Sequence, residues 1–263
     1  MGDIHGCLAE LVELERRVRA ASAREGASTL IVSLGDLVDR GPDSAGVIGH
    51  FRRGAAEGTH AAILGNHEEL MLRALHDHAP WSFERVEMSQ HVSVGALYRS
   101  LRPAVAEVLT PEDFRALGRL TWITQGGARA LASWSADPRD PSTWRLPEED
   151  VAFLCSLPVV HRSPGVVATH ALVRKEELAE LESDETPRAR RAELVQRALW
   201  MRRLPPGPVD AGIHVSGHTP MKRPRRYPAR QLLRLDTGCC YGNRLSAWCP
   251  ELDRVVSVKS ARS

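Results

Sequence analysis

Paired cysteines and long apolar runs are what this sequence most clearly lacks. Its five cysteines include no C-x-x-C pair, so the spacing typical of a cysteine-rich zinc site is missing. We expect these cysteines to be reduced thiols of a cytosolic protein. No apolar run reaches the ~20 residues needed to span a bilayer, and the first residues lack the basic and apolar regions of a signal peptide. Together these absences predict a soluble, cytoplasmic protein.

The chain also has no strong excess of charge of either sign. Its 35 Lys and Arg residues oppose 33 Asp and Glu residues, so the net charge is +2 and neither nucleic acid nor an anionic membrane is favoured as a partner. The length of 263 residues, 43% of them hydrophobic, is enough for one large α/β domain, alone or with a cap. We therefore expect a single domain over residues 1–263, and the sequence leaves its oligomeric state open.

Four short apolar runs each stop at a polar residue that can bind a metal. The runs cover 29–34, 60–64, 165–169 and 213–216, and the residues that follow them are Asp36, Asn66, His170 and His218. We interpret the runs as buried strands, and a helix is predicted over 7–24 from its one apolar face. Ligands of open α/β sheets bind beyond the carboxyl ends of the strands. The pattern therefore predicts an α/β fold with a site at those ends.

The middle of the chain differs in composition from the rest. Residues 76–146 contain Trp81, Trp122, Trp134 and Trp144 together with several Pro and Gly residues. We interpret this stretch as a largely helical insertion, which either caps the site or extends the core. A further helix is predicted over 186–204, and strands and turns over 231–258.

A second group of candidate ligands lies at the start of the chain, where Asp3 and His5 stand two residues apart. Together with Asp36, Asn66, His170 and His218 they form a mixed set of carboxylate, amide and imidazole ligands. Such a set suits Mn, Fe or Zn better than Ca or Mg, which favour oxygen ligands. Two metals ~3.5–4 Å apart can activate a water and bind a phosphate. Asp36 is the natural bridging ligand, because the other ligands then divide into two groups around it.

Phosphate chemistry also needs cationic groups and a proton donor. Arg40, four residues after Asp36, and Arg202 are candidates to bind phosphate oxygens, because a guanidinium can donate two hydrogen bonds at once. His67, oriented by Asp39, is a candidate general acid for the leaving alkoxide. Each fragment alone is weak, since a lone Asp-x-His pair or a lone histidine is more often an ordinary turn or core residue. The prediction depends on their joint occurrence at strand ends.

These fragments resemble the signature blocks of the PPP phosphatases within the calcineurin-like metallophosphoesterases. The matching blocks are Gly2-Asp-Ile-His-Gly6, Gly35-Asp-Leu-Val-Asp-Arg-Gly41, Gly65-Asn-His-Glu68, Thr169-His170 and Gly217-His-Thr-Pro220. Weaker similarity to bacterial members covers four further segments: Trp122-Ile-Thr-Gln-Gly-Gly127, residues 146–154, Ala198-Leu-Trp-Met-Arg202 and Asp236-Thr-Gly-Cys239. The resemblance covers most of the chain outside about 76–121. The family fold that it implies is a sandwich of two mixed β-sheets flanked by helices.

The resemblance also implies a role for each site residue. Asp3, His5 and Asp36 would hold the first metal, and the second would be held by Asp36, Asn66, His170 and His218. Arg40 and Arg202 would bind the phosphate, and Asp39 with His67 would form the acid pair. The implied cofactors are two divalent metal ions, with Mn favoured and Fe or Zn as alternatives. Arg202 is the least secure assignment, because Arg203 is its neighbour.

Two departures from the family pattern have expected consequences. Leu172 stands where many bacterial relatives have glycine after His-Ala, and we expect a changed loop with the metal retained. The strand that precedes the first block in the family is missing before Gly2. We hypothesise a truncated gene model, and if the chain does start at Met1, we expect weak binding of the first metal.

Several functions remain open on the sequence alone. The leading prediction is hydrolysis of phosphomonoesters, with phosphoserine and phosphothreonine in proteins as substrates. A symmetric diadenosine tetraphosphate hydrolase is the first alternative, and Asp39 favours the phosphatase over it. A non-catalytic member that binds a phosphorylated partner is the alternative from another class. The basic run at 222–226 offers a second non-enzymatic alternative, which is binding of an anion or RNA. It is otherwise a solvated loop or a rim that attracts phosphorylated substrates.

Overall fold

The structure is a computed structural model that describes residues 1–24, 28–75 and 111–261. Its α-helices are α1 (Leu8–Arg24), α2 (Ser44–Ala56), α3 (Asn66–Ala74), α4 (Pro111–Trp122), α5 (Ala128–Ser133), α6 (Glu148–Ser156), α7 (Lys175–Glu182) and α8 (Arg188–Trp200). Its strands are β1 (Ile31–Ser33), β2 (His60–Ala62), β3 (Val160–Ser163), β4 (Val166–Thr169), β5 (Ile213–Ser216), β6 (Arg225–Tyr227), β7 (Leu232–Arg234), β8 (Arg244–Cys249) and β9 (Arg254–Lys259).

The strands form one large mixed sheet and two smaller pairs. The five-stranded sheet has the order β3-β4-β5-β7-β6, in which β4, β5 and β7 run parallel and both outer strands run antiparallel to their neighbours. The other pairs are β1 with β2, which is parallel, and β8 with β9, which is antiparallel. All four strands predicted from the apolar runs are present, so the expected α/β fold with mixed sheets is confirmed.

The first two residues of the chain lie between the two smaller sheets. The Leu34 amide donates a 3.0 Å hydrogen bond to the carbonyl of Met1, and the Gly2 amide donates a 2.9 Å bond to the carbonyl of Ser246. These bonds join the end of β1 to β8 through Met1 and Gly2. Asp3 and His5 are thereby held next to the sheet rather than on a loose end, and both are buried.

Apolar residues next to the β1–β2 pair pack against apolar residues of the five-stranded sheet, just behind the strand ends. Leu34 and Ile63, which follow β1 and β2, pack on Ala168 of β4 and Val215 of β5 in one buried cluster. A second, larger core cluster contains residues of α1, α2, α3 and α4, among them the fully buried Phe51 and Trp122. Burying a side chain of this size stabilises the fold by about 1.5–3 kcal/mol. This packing places the ends of β1, β2, β4 and β5 at one edge.

The stretch predicted as a helical insertion is only partly described. Residues 76–110 lie outside the described part of the chain, and that portion of the prediction is untested. Over 111–146 the structure has α4, a π-helical segment at Ile123–Gly127, α5 and a 3-10 turn at Pro141–Thr143. None of the described helices is long and apolar enough to cross a membrane.

Candidate metal centre

The strand ends bring the predicted ligands into one buried cluster. His5 Nε2 lies 3.4 Å from Asp36 Oδ2, and His170 Nε2 lies 3.4 Å from Asp36 Oδ1 on the other side of the same carboxylate. Asn66 Oδ1 is 2.8 Å from His170 Nε2 and 2.8 Å from His218 Nδ1. Asp3, Asp36 and His170 each offer a ligand atom within 4.8 Å of the others. Every member of the set is less than a tenth exposed.

Unusual backbone conformations mark the turns that carry these side chains. Five non-glycine residues of the candidate site have a positive φ: His5 (48°), Asp36 (52°), Asp39 (72°), Arg40 (63°) and His218 (67°). Such residues cost about 1–3 kcal/mol each and collect at functional sites. Gly217 has room only for hydrogen, because an added Cβ would lie 2.1 Å from Asp3 Oδ1. The turns thus hold the ligands in conformations that the chain does not adopt freely.

The direction of the imidazole rings indicates a place for cations on either side of Asp36. His5 Nδ1 lies 2.8 Å from the Val38 carbonyl and His170 Nδ1 lies 2.7 Å from the Leu34 carbonyl, so both Nδ1 atoms carry the hydrogen. The Nε2 lone pair of His170 then faces the side-chain oxygens of Asp36 and Asn66. The Nε2 lone pair of His5 faces Asp36 Oδ2 and also accepts a hydrogen bond from Arg40. Two acceptors facing each other repel, whereas a cation between them binds both. Histidines that bind metals commonly donate their other N–H to a carbonyl in this way.

The protonation of the cluster fits the same interpretation. Burial lowers the pKa of His5 and of His170, so both rings are neutral at neutral pH. Burial likewise lowers the pKa of His218 to about 3. Burial raises the pKa of Asp3 well above its usual range, and the nearby carboxylates of Asp236 and Asp36 raise it further. A divalent cation would stabilise this cluster, because it binds neutral imidazole nitrogens and offsets the repulsion between the buried carboxylates.

His67 and Asp39 form a second buried pair beside the cluster. His67 Nδ1 lies 2.6 Å from Asp39 Oδ2, and the indole N–H of Trp122 donates to both Asp39 oxygens at 2.9 and 3.1 Å. Burial alone would lower the pKa of His67, but the charge of Asp36 and the hydrogen bond to Asp39 raise it above 6.5. The His67 ring stacks edge-on against His5 with centroids 4.7 Å apart. The pair is therefore placed to hold a proton next to the candidate metal centre.

The two candidate phosphate-binding arginines differ in position. Arg40 Nη1 lies 2.6 Å from His5 Nε2, and its guanidinium lies 5.4 Å from the centre of the Tyr241 ring. Arg202 is exposed, and its charge contributes to the lowered pKa of His218 after the larger effect of burial. Arg40 is therefore within the cluster, and Arg202 is at its outer edge.

Leu172 shows how the loop after His170 differs from the glycine-containing pattern. Its side chain is buried, and its amide donates a 3.2 Å bond to the carbonyl of Met201. The Ala171 amide donates a 2.7 Å bond to the Ala198 carbonyl at the end of α8. The loop is thus fixed to α8, and His170 remains beside Asp36.

The structure also shows a role for Glu68 that no sequence pattern indicates. Its carboxylate accepts four backbone N–H bonds at 2.7–3.1 Å, from Gly65, Asp36, Leu37 and Val38. The side chain thereby fixes the turn after β1 to the turn after β2. Glu68 is part of the block Gly65-Asn-His-Glu68, so the sequence shows its position. Its contacts with the turn after β1, which lies 30–32 residues earlier in the chain, could not be read from that block.

Replacing Glu68 by Gln is expected to destabilise the chain by about 2–6 kcal/mol. The amide nitrogen would face two backbone N–H donors, and each buried donor left without an acceptor costs about 1–3 kcal/mol. Urea unfolding followed by circular dichroism measures the change, with the exposed Glu57→Gln as the matched control. Equal stability of the two variants would contradict this role of Glu68.

Comparison with known proteins agrees with this geometry. Residues 1–227 match the family described as calcineurin-like phosphoesterase. The serine/threonine-protein phosphatase 1 of Salmonella typhimurium is 42% identical over 74 residues, which is 28% of this chain and 31% of that protein. The symmetrical bis(5'-nucleosyl)-tetraphosphatase of Paracidovorax citrulli is 32% identical over 52% of this chain and 45% of its own length. This chain therefore spans less than half the length of either relative.

Two further similarities extend over the whole chain at lower identity. The asymmetrical bis(5'-nucleosyl)-tetraphosphatase PrpE of Bacillus velezensis is 25% identical over 99% of this chain and 92% of its own length. A crystal structure named for a diadenosine tetraphosphatase superposes with a TM-score of 0.58 at 22% identity, covering 100% of this chain and 92% of that one. This last similarity supports the fold. The family match over residues 1–227 shows that the chain belongs to the calcineurin-like phosphoesterases, a family of metal-dependent hydrolases.

Proposed function

We propose that this chain hydrolyses phosphomonoesters, and that phosphoserine and phosphothreonine in proteins are its substrates. The observation that carries the proposal is the carboxylate of Asp36, which has an imidazole Nε2 at 3.4 Å from each of its two oxygens. That arrangement suits two divalent cations joined by one carboxylate. When bound, such cations supply a nucleophile from water and neutralise phosphate charge.

Each residue of the centre has a defined task in this proposal. Asp3, His5 and Asp36 would hold the first cation. The second cation would be held by Asp36, Asn66, His170 and His218. Mn²⁺ is proposed for both positions, with Fe and Zn as the alternatives that the same ligands accept.

The remaining site residues act directly on the phosphate ester. Arg40, within the cluster, and Arg202, at its edge, bind the phosphate oxygens. His67 donates its proton to the leaving alkoxide, and Asp39 keeps the ring oriented and its pKa high enough for it to carry that proton. An alkoxide such as that of serine or threonine is a poor leaving group without a proton. The buried Asp39–His67 pair is the feature that favours these substrates.

A cavity beside Arg40 favours dinucleoside polyphosphates as the second candidate substrate. It measures about 700 Å³, and its lining includes Arg40, Arg129, Gly126 and the exposed ring of Tyr241. Arg40 donates its backbone N–H to the Gly126 carbonyl at 3.4 Å, which joins the π-helical segment to the metal centre. Arginines bind further phosphates, and an exposed tyrosine ring can stack on a base. The relatives named as tetraphosphatases support the same candidate.

Direct comparison of the two substrates tests the proposal. The chain with added Mn²⁺ is assayed with a phosphothreonine peptide and with diadenosine tetraphosphate. Faster hydrolysis of the peptide supports the protein phosphatase. Faster hydrolysis of the dinucleotide moves the chain to the second candidate, and cleavage of neither by a metal-loaded chain supports a non-catalytic phosphate-binding role.

The single substitution Arg129→Ala distinguishes the two candidate substrate classes. If the cavity holds a polyphosphate, we expect KM for diadenosine tetraphosphate to rise about tenfold, because a charged hydrogen bond worth ~1.5 kcal/mol or more is lost. KM for a small phosphomonoester is expected to stay within about twofold. Arg139, an exposed arginine that does not line this cavity, provides the matched control as Arg139→Ala. Equal KM values for Arg129→Ala and its control on both substrates would remove the cavity as a substrate site.

A further inference from the structure

A second cluster of metal-binding side chains lies outside the strand-end centre and shares no residue with it. It joins Glu15 of α1, His50 of α2 and His60 of β2. Glu15 and His60 are buried, and the His50 side chain is 25% exposed. Two histidines and one carboxylate, supplied by three different elements, thus meet just below the surface.

The distances within this cluster fit three ligands of one ion. His50 Nε2 is 3.0 Å from Glu15 Oε1, and His60 Nε2 is 3.1 Å from the same oxygen. Zinc binds imidazole nitrogen and carboxylate oxygen at ~2.0–2.2 Å, which places two ligands of a tetrahedral ion ~3.3 Å apart. All three ligand atoms lie within 4.8 Å of one another. Small side-chain movements are therefore enough to surround an ion.

The surroundings hold the His60 ring in place. His60 Nδ1 lies 2.8 Å from Thr59 Oγ1, so the ring has a hydrogen-bonded partner on the side away from Glu15, as metal-binding histidines usually do. Gly54 gives the ring its space, because an added Cβ would lie 1.8 Å from His60 Nδ1. The ring is thus fixed with Nε2 directed at the carboxylate.

The cluster is also accessible to an ion. The partly exposed His50 leaves one side open for entry of an ion and for a water as fourth ligand, which three-residue zinc sites retain.

We propose that Glu15, His50 and His60 bind a zinc ion that is separate from the cations of the strand-end centre. The bound ion links α1, α2 and β2. Since α2 follows directly on the turn that carries Asp39 and Arg40, this link would stabilise the base of the catalytic turn without contacting substrate. Binding to the folded state alone would raise stability with zinc concentration.

Counting bound zinc tests the proposal independently of activity. The full chain is freed of metal with a chelator and dialysed to equilibrium against Zn²⁺, and bound zinc is measured by atomic absorption. We expect His50→Gln and Glu15→Gln each to bind one equivalent fewer than the parent. His161→Gln replaces a histidine outside any described ligand cluster and is expected to bind as much as the parent. Retention of every equivalent by His50→Gln overturns the proposal.

Thermal unfolding separates a zinc site from a simple hydrogen-bonding network. We expect the difference in Tm between the parent and His50→Gln to grow by several degrees when Zn²⁺ is added. A Tm difference that is the same with and without zinc would show that the three side chains only bond to each other, and it overturns the proposal. His50 is the most exposed of the three, so its variant remains informative if Glu15→Gln fails to fold.

Discussion

Replacing Asp36 by Asn is expected to lower kcat for phosphate-ester hydrolysis by about three orders of magnitude. Each oxygen of this carboxylate faces a different imidazole, so the charge lost is the one that would join the two cations. Cation chemistry at a phosphate contributes several kcal/mol to transition-state stabilisation. A loss of ~4 kcal/mol corresponds to a factor of ~1000 in rate. The Asn side chain has nearly the same shape, so the fold should persist.

Steady-state kinetics and metal analysis together measure the effect of Asp36→Asn. We expect the variant to bind at least one equivalent of Mn²⁺ fewer than the parent under the same conditions. The oxygen that Asn retains can still accept the 3.0 Å bond from the His67 amide, which limits structural damage. Asp184→Asn, at an exposed position, is the matched control. A variant with parent-like kcat would show that Asp36 does not bridge the centre.

Replacing His67 by Asn is expected to lower kcat for a phosphothreonine peptide by about 10²–10⁴, the usual contribution of a general acid. The same variant should lose less than about tenfold on p-nitrophenyl phosphate, because nitrophenolate leaves without a proton. We expect the two substrates to differ because His67 is placed to act as the proton donor: its ring contacts His5 in the cluster, and its Nδ1 is 2.6 Å from Asp39. Steady-state rates on both substrates at saturating Mn²⁺ provide the measurement.

The comparison of leaving groups distinguishes a proton donor from a structural residue. A purely structural role for His67 would reduce both rates by the same factor, and that result would contradict its assignment as the acid. Asp39→Asn is expected to show the same dependence on leaving group with a smaller loss. It should also move the alkaline limb of the pH–rate profile to lower pH, because the carboxylate raises the pKa of His67. His161→Asn is the matched control, since His161 lies on β3 and belongs to no described metal cluster.

The fold and most of the site follow from local patterns in the sequence. The run at 213–216 is apolar and rich in β-formers, it stops at a glycine, and the structure has β5 over the same residues. The polar residues after such strands could be predicted to meet, because parallel strands end at one edge. The proposed ligand roles of Asp36 and His170 follow from this rule together with the ligand preferences of metals.

The sequence could not reveal contacts that depend on distant packing. Trp122 donates to Asp39 across 83 residues, and nothing in its own segment indicates that partner. Glu15 and His60 lie 45 residues apart in unrelated elements, so their pairing appears only after α1 packs near β2. Arg129 lines the cavity beside Arg40 because a π-helical segment ends before it, and such irregular turns have no reliable sequence signal.

The Asp3–His218 contact has a consequence for how the chain is made. The His218 amide donates to the Asp3 carboxylate across 215 residues, so the candidate centre joins two positions that are far apart in the chain. Ribosomes add about 5–20 residues per second, which leaves Asp3 without this partner for roughly 10–40 s. The candidate centre is therefore completed only after the segment that carries His218 has been made.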